Sequence, residues 1–577
     1  MCVFLKKPGG GSYLMNCRIK QLGFMGVLVF LAPLIYAAEI KMGPLLHFEG
    51  TDVENHSWKV SALYLVKSFP DKRYVHFFFD PDHEEIALGK ILGSRFGYDF
   101  VKFEMTLEQG QDKKVIKYKL DGEDISHRFH IPALGQHANI LYHSCNGYQS
   151  EADRHSVGGI NGMWAEVNCR HAIEPFELQL GGGDQIYADG LISGSSPGPL
   201  EPSLGKTFGV FALPSLQEWL SFKEQLGYAP MTDSMIEEVE RFYFDHYVRH
   251  YNEPEFKETM ASVPILAQPD DHDYFDGCGS YPPYLQNSPV MSKIRSIAAW
   301  YVYIIQHQLC VDELLAERSG LPAYHFLHVI NKLAILGVDT RTERTQDQIV
   351  SKLSWDMIFQ TLEKLDPDCQ HVLVMLAVPV VYASTKILEK AINIAESSST
   401  LNNIVSKRPG IKNSFGLFEL ADDGQDGWCH RAHKQERNAM ILAFQDFARR
   451  KHMRVSFIGG DVHLGGAGKI YRKEIGIEDN SADAIWQIIS SPVGNICVKK
   501  ATARALGPMA HHERKLENGC AMRVFKLHKA HTLIAHRNFV MLKLMPDLSI
   551  DVRWSAESKK AYKAHKIYHL TIPPVHF

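Results

Sequence analysis

The sequence predicts an α/β fold, and three observations predict it. Short apolar runs recur after residue 133, at 139–143 (NILYH), 176–180, 263–267, 372–378 and 455–458. Each run stops abruptly at a proline, a polar cluster or a glycine-rich turn. Longer amphipathic stretches with helical spacing separate the runs, among them 216–251 and 292–314. Strands alternating with helices make a largely parallel sheet, and ligands of such sheets gather beyond the carboxyl ends of the strands. Four of the five ends carry side chains able to hold a metal: Ser144-Cys145-Asn146, Gly181-Gly182-Gly183-Asp184, Asp270-Asp271-His272-Asp273 and Gly459-Gly460-Asp461-Val462-His463.

In chain order, residues 1–42 read as an extension. Its run 22–38 (LGFMGVLVFLAPLIYAA) is uncharged, follows Lys6, Lys7, Arg18 and Lys20, and ends in Ala37-Ala38. That is the pattern of a secretory signal or anchor, so export or membrane association through this run is expected. A buried core segment in a cytoplasmic chain is the alternative. Residues 43–133 alternate apolar runs at 60–66, 74–79, 100–105 and 115–120 with turns such as Asp71-Lys72 and Asp121-Gly122, and read as a β-sandwich accessory domain. Residues 134–577 make the α/β domain, with helical insertions near 200–330 and 347–394. Runs 539–544 and 549–554 form a hairpin around Pro546-Asp547.

Composition excludes several classes. With 62 Lys+Arg against 66 Asp+Glu the formal charge is −4, so the chain has no basic excess with which to bind nucleic-acid backbone as a primary role. Ten cysteines are scattered without a CxxC pair, which argues against a zinc ribbon or a dithiol redox site. Histidines number 29, a supply for catalysis or metal binding that composition alone does not assign.

The strand-end motifs carry the chemistry. In GGGDQIYADG (181–190) the glycines allow a tight turn, Asp184 can bridge two metals, and Tyr187 can reach back as a phenolate ligand. Hard oxygen donors of this kind suit Fe(III), Ca, Mn or Mg. A phosphate-cradling loop is excluded because no Lys-Ser/Thr follows; a strand-end turn with a buried tyrosine is the plainer alternative. DDHD (270–273) crowds three carboxylates around an imidazole, which repel one another unless a cation or solvent compensates. Asp271 is the preferred ligand, and His272 a donor toward a leaving oxygen. Asp461 and His463 are two apart, so in extended backbone both side chains point to one side and reach one ion. Cys145 is either a small buried residue or, as a thiolate, a ligand for iron or zinc. His246 and His250, four apart on a helix, read as a packed pair, with zinc as the alternative. His511, His512, His528, His531 and His536 read as surface residues, and Lys434 and Arg437 as a solvated helix face within reach of a phosphate.

Together GDQIYAD, QPDDHD, GGDVH and the cysteine after a strand resemble the alkaline phosphatase D (PhoD-like) family of the metallophosphatase superfamily. GDxxY also resembles the purple acid phosphatases, whose tyrosine binds ferric iron. The likeness extends to Asp422-Asp423, Trp428, His433-Lys434-Gln435-Glu436-Arg437 and Ser490-Ser491-Pro492. The sequence departs from the superfamily at Ser144-Cys145-Asn146, at Asp271 in place of an asparagine, and at Val378-Pro379-Val380, where a histidine motif is absent. The first two changes match the cysteine-containing branch.

The resemblance implies a four-layer α/β/β/α sandwich preceded by a β-sandwich, and hydrolysis of phosphate mono- or diesters. It implies that Cys145, Asp184, Tyr187, Asp461 and His463 hold an iron-like ion. Asp184 then bridges to further ions on Asp271 and Asp270, and His272 assists the leaving group. The implied cofactor is a divalent or mixed-valence cluster, iron with calcium or another divalent ion such as Mn, Zn or Mg. A non-catalytic scaffold that kept the fold is the competing expectation.

Overall fold

The computed structural model describes residues 39–52, 54–68, 77–79, 85–120, 123–193, 213–311, 314, 323–383, 427–473, 480–517, 519–527, 532–558 and 565–575. Two large sheets organise them. The first has ten strands, in the order Lys566–Ile572, Ile550–Ala556, Asn538–Leu544, Asn139–His143, Leu178–Gly182, Ile265–Gln268, Ile40–Asp52, Ser57–Lys67, Tyr98–Glu108 and Lys90–Arg95. The second has eight, in the order Phe326–Ile330, Leu333–Gly337, His371–Met375, Arg454–Gly459, Ile485–Ile489, Gly466–Arg472, Cys520–Val524 and Arg514–Lys515. Each sheet has a parallel centre: Leu180 pairs with Tyr142 and Leu266 in the first, and Val374 with Leu336 and Phe457 in the second.

Side-chain alternation along these strands sorts the apolar residues into three layers of core. Ile140, Leu178 and Leu180 from the first sheet meet Ile335, Leu373, Met375 and Ile458 from the second in one buried cluster. On the other face of the first sheet, Leu141 and Ile265 pack with Trp164, Tyr243, Tyr247 and Ile294 from the helices Asn161–Ile173, Asp233–Tyr251 and Pro289–Tyr301. On the other face of the second, Leu336, Val374 and Phe457 pack with Ile358, Leu362, Met440 and Phe444 from the helices Lys352–Leu362 and Lys434–Lys451. The result is the α/β/β/α order that the family resemblance implies.

Three expectations change. Residues 43–133 do divide between two sheets, but one is not separate. Phe77–Phe79, Glu85–Ala87, Lys114–Leu120 and His127–Ile131 form a four-stranded sheet. Ile40–Asp52 and its neighbours instead continue the ten-stranded sheet through a parallel pairing of His47 with Ile265. Leu46, Phe48 and Val60 therefore share the inter-sheet core, and no core boundary falls at 133. The turns at Asp71-Lys72 and Asp121-Gly122 lie outside the described residues. Second, the described residues of the block 347–394 hold one helix, Lys352–Leu362, and then the strand His371–Met375, so the block is not helical throughout; the part of the expectation at 384–394 lies outside the described residues. Third, export or anchoring through 22–38 is corrected: no helix among the described residues is long and apolar enough to cross a membrane, and the run itself lies outside them. It is also shorter than the roughly 20 apolar residues of a relaxed span, and Pro33 interrupts it.

Candidate metal centre

Parallel pairing sets the site. Gly181 stands level with His143 on one side and Ala267 on the other, so the loops after these three strands open side by side. The loop after Arg454–Gly459 approaches from the second sheet. A Cβ on Gly460 would lie 2.0 Å from Ser144 Oγ, so only glycine allows this approach. Cys145, Asp184, Asp461 and His463 all have positive φ, between 51° and 59°. Such backbone is uncommon for side-chain-bearing residues and gathers where structure over-determines it for function.

The carboxylates converge. Asp184, Asp271 and His272 offer ligand atoms within 4.8 Å of one another, as do Asp270, Asp271 and Asp461. Asp271 belongs to both groups, so it is the shared carboxylate here. Tyr187 donates its hydroxyl to Asp184 Oδ2 at 3.1 Å, with the His463 Nε2 also 3.1 Å from that hydroxyl. Asp184 Oδ1 is buried with no hydrogen-bond partner. Burial pushes Asp184 well above the usual carboxylate range, and Asp270, Asp271 and Asp273 add to the push while His272 opposes it. Burial lowers His463 to about 4, with His272 adding to the fall. An orphaned buried oxygen among crowded carboxylates is the donor set of a hard cation, so the residues fit the metal that the resemblance implies.

Two residues that the sequence reading did not single out complete the electrostatics. Arg341 is fully buried; its Nε donates to Asp270 Oδ1 and its Nη2 lies 3.5 Å from Asp271 Oδ1. Its signal was the apolar run 333–338, which ends in Asp339-Thr340-Arg341 by the same strand-end pattern. Asp189 Oδ2 lies 2.9 Å from His272 Nδ1, and the His272 ring stacks on Tyr187 with centroids 4.2 Å apart. Burial alone would lower His272, but Asp189, Asp271 and Asp184 outweigh it and hold the imidazole well above its ordinary value. Cations among those carboxylates would offset that effect.

The remaining candidates separate. Asp273 faces away from the cluster: Oδ1 accepts from Gln185 N, Ile186 N and Gln306 Nε2, Oδ2 accepts from Asp270 N, and burial pushes it up to about 6. Cys145 Sγ lies 3.0 Å from Ser491 Oγ, and burial raises its thiol well above the usual value. His246 and His250 stack within the helix Asp233–Tyr251, and Asn146 Nδ2 lies 3.1 Å from His250 Nε2. Neither belongs to a metal-competent group among the described residues. With Arg154 and Arg249 they line a small recess beside Tyr187. Arg437 donates to Trp428 O and Asn438 Oδ1, and Lys434 pairs with Glu517, so both serve the helix layer. Where the superfamily histidine is absent, Val380 N and Val381 N donate to Gln487 Oε1, which closes that turn. Asp422, Asp423, His528 and His531 lie outside the described residues.

Two face-packed sheets flanked by helices, with acids and histidines converging at the strand ends, make a metallophosphatase-type fold. The chain belongs to the PhoD-related phosphatase family, whose model matches residues 131–408 and 402–516. The family supports a phosphoesterase function. The solved structure of PhoD superimposes with a TM-score of 0.53 over 91% of this chain and 88% of that one, at 14% identity, a likeness of fold. A purple acid phosphatase, PPD1 from yellow lupin (Lupinus luteus) seeds, gives a TM-score of 0.47 at 9% identity, over 91% of this chain and 73% of that one. The uncharacterized Saccharomyces cerevisiae protein YGR266W is 26% identical over 518 residues, spanning 79% of this chain and 70% of its own.

Proposed function

We propose that this chain is a metal-dependent phosphoesterase that hydrolyses phosphate mono- or diesters. The observation that carries the reading is the convergence of Asp184, Asp271 and His272, with Asp270 and Asp461 beside them. Asp184, Asp271, Asp270 and Asp461 would hold the cations, with Cys145, Tyr187 and His463 on the iron side. Iron with calcium or another divalent ion suits this mixture of hard oxygen, imidazole and thiol donors. Bound there, such cations supply Lewis acidity toward phosphate oxygens and lower the pKa of water to about 7.

The chain's own groups orient the reaction. Asp189 takes the Nδ1–H of His272, and Tyr187 fixes the plane of the ring by stacking. Nε2 is then the nitrogen that carries and releases a second proton, toward the departing alkoxide. Arg341 donates to Asp270 Oδ1 and fixes the direction of that carboxylate.

Elemental analysis and a panel of aryl phosphate mono- and diesters test the reading. We expect bound metal, turnover of at least one ester class, loss of turnover on chelation, and its return on adding metal. Protein that takes up no metal on reconstitution and hydrolyses neither class is a scaffold, and that result overturns the proposal.

A further inference from the structure

A cavity of about 520 Å³ opens between the helix Lys500–His511, residues 532–536 and the strand Lys566–Ile572. Its lining is strongly cationic. Lys500, Arg504 and His511 line it from the helix, where steps of four and eleven residues return to one face. Lys566 and Tyr568 line it from the strand, two apart and therefore on the same side. Lys526 adds a further cation from the end of the adjoining strand Cys520–Val524.

No Asp or Glu is among the lining residues, in a chain whose formal charge is −4. Among the described residues, Arg504, Lys526 and Lys566 enter no ion pair. These charges are therefore not spent on holding the fold. None of the lining residues belongs to the metal centre either.

Cations delivered from a helix, a strand end and an edge strand onto one small volume suit a compact ligand with several negative groups. A single phosphate would engage only one or two of them. A volume of this size matches a small molecule or a headgroup. Guanidinium and ammonium groups bind phosphate oxygens through charge-assisted hydrogen bonds. We propose that this cavity binds a multiply phosphorylated small anion, free or as a lipid headgroup, at a site distinct from the metal centre.

Titration calorimetry on the full chain tests this with inositol hexakisphosphate and with inorganic phosphate. Flotation with phosphatidylcholine vesicles, with and without phosphatidylinositol 4,5-bisphosphate, tests the lipid source. Repeating both on the Asp184→Asn chain keeps binding separate from hydrolysis. We expect the hexakisphosphate or the bisphosphate vesicle to bind, inorganic phosphate to bind at least ~10-fold more weakly, and added salt to weaken the interaction. Arg504→Ala with Lys566→Ala should weaken it at least ~10-fold. Lys526→Gln is a second, single-charge variant should the double one not fold. Binding of the soluble anion assigns a free ligand, and binding of the vesicle alone assigns a headgroup; both support the site. Absence of binding to either, equal binding of inorganic phosphate, or undiminished binding by the folded variants overturns it.

Discussion

Replacing Asp184 by Asn keeps the shape of the side chain and removes one charge from the centre. One oxygen of Asp184 lies within 4.8 Å of ligand atoms on Asp271 and His272. At that separation two unit charges interact by about 3.5 kcal/mol at an effective dielectric of about 20. Repulsion from Asp271 and attraction to a charged His272 therefore cancel to first order. What remains is burial, the largest influence, and repulsion from Asp270 and Asp273, all of which disfavour the charged carboxylate. A carboxyl whose folded pKa is raised destabilises the fold once pH exceeds the unfolded value of about 3.9. At pH 7 in chelator the Asn variant should accordingly be more stable, by about 1–3 kcal/mol, read as a higher urea midpoint at unchanged slope. With cation present the order reverses. Losing one ligand charge removes at least about 4 kcal/mol, the value for two unit charges at about 4 Å and an effective dielectric of about 20, and so at least roughly a thousandfold in the affinity of a divalent cation. Metal content should fall and turnover drop to background. A chelated variant less stable than the parent by more than about 1 kcal/mol, or one that keeps its metal, refutes the reasoning.

Arg341→Met leaves Asp270 buried without its guanidinium, and should destabilise the fold by about 3–5 kcal/mol in denaturant titration. Asp189→Asn removes the carboxylate that holds His272 and should lower kcat by about 10²-fold or more for alkyl phosphates. Aryl phosphates leave without a proton and should be affected much less; equal losses on both would remove His272 from leaving-group assistance. His307 is buried, its ring nitrogens lack partners, and burial lowers it to about 3. As pH falls below about 6.5 the unfolded chain takes up the proton first, so stability declines, by about 2 kcal/mol between pH 7 and pH 5 from this residue. His307→Phe keeps the packing on Tyr324 and should remove that share of the pH slope in urea midpoints.

Much of the centre was legible because each motif is local. A strand that ends in a tight turn presents its next side chains at the sheet edge, so the convergence of Asp184, Asp271 and Asp461 could be read from their strand ends; the extended backbone expected from Asp461 to His463 is instead left-handed at both residues, with φ of 59° and 51°. The run 333–338 escaped notice because only one of its neighbours was acidic, and with it went Arg341. The segment 43–133 was misjudged as separate for a related reason. Its strands read correctly, but nothing in their alternation tells which sheet they extend.

What the sequence by itself determined is the α/β class and the acids and histidines that follow its strands, since period-two strands and glycine turns are short-range properties of the chain; the four-layer α/β/β/α order was implied by the family resemblance of its motifs. Only the tertiary structure decided the pairings that span it: Asp189 with His272, 83 residues apart, Arg341 with Asp270, 71 apart, and Cys145 with Ser491, 346 apart. The basic cavity belongs to this second group, because it joins residues 500–511 to 566–568. Burial and electrostatic coupling act through space between buried groups, so these contacts and the pKa shifts they cause exist only once the two sheets have closed on one another.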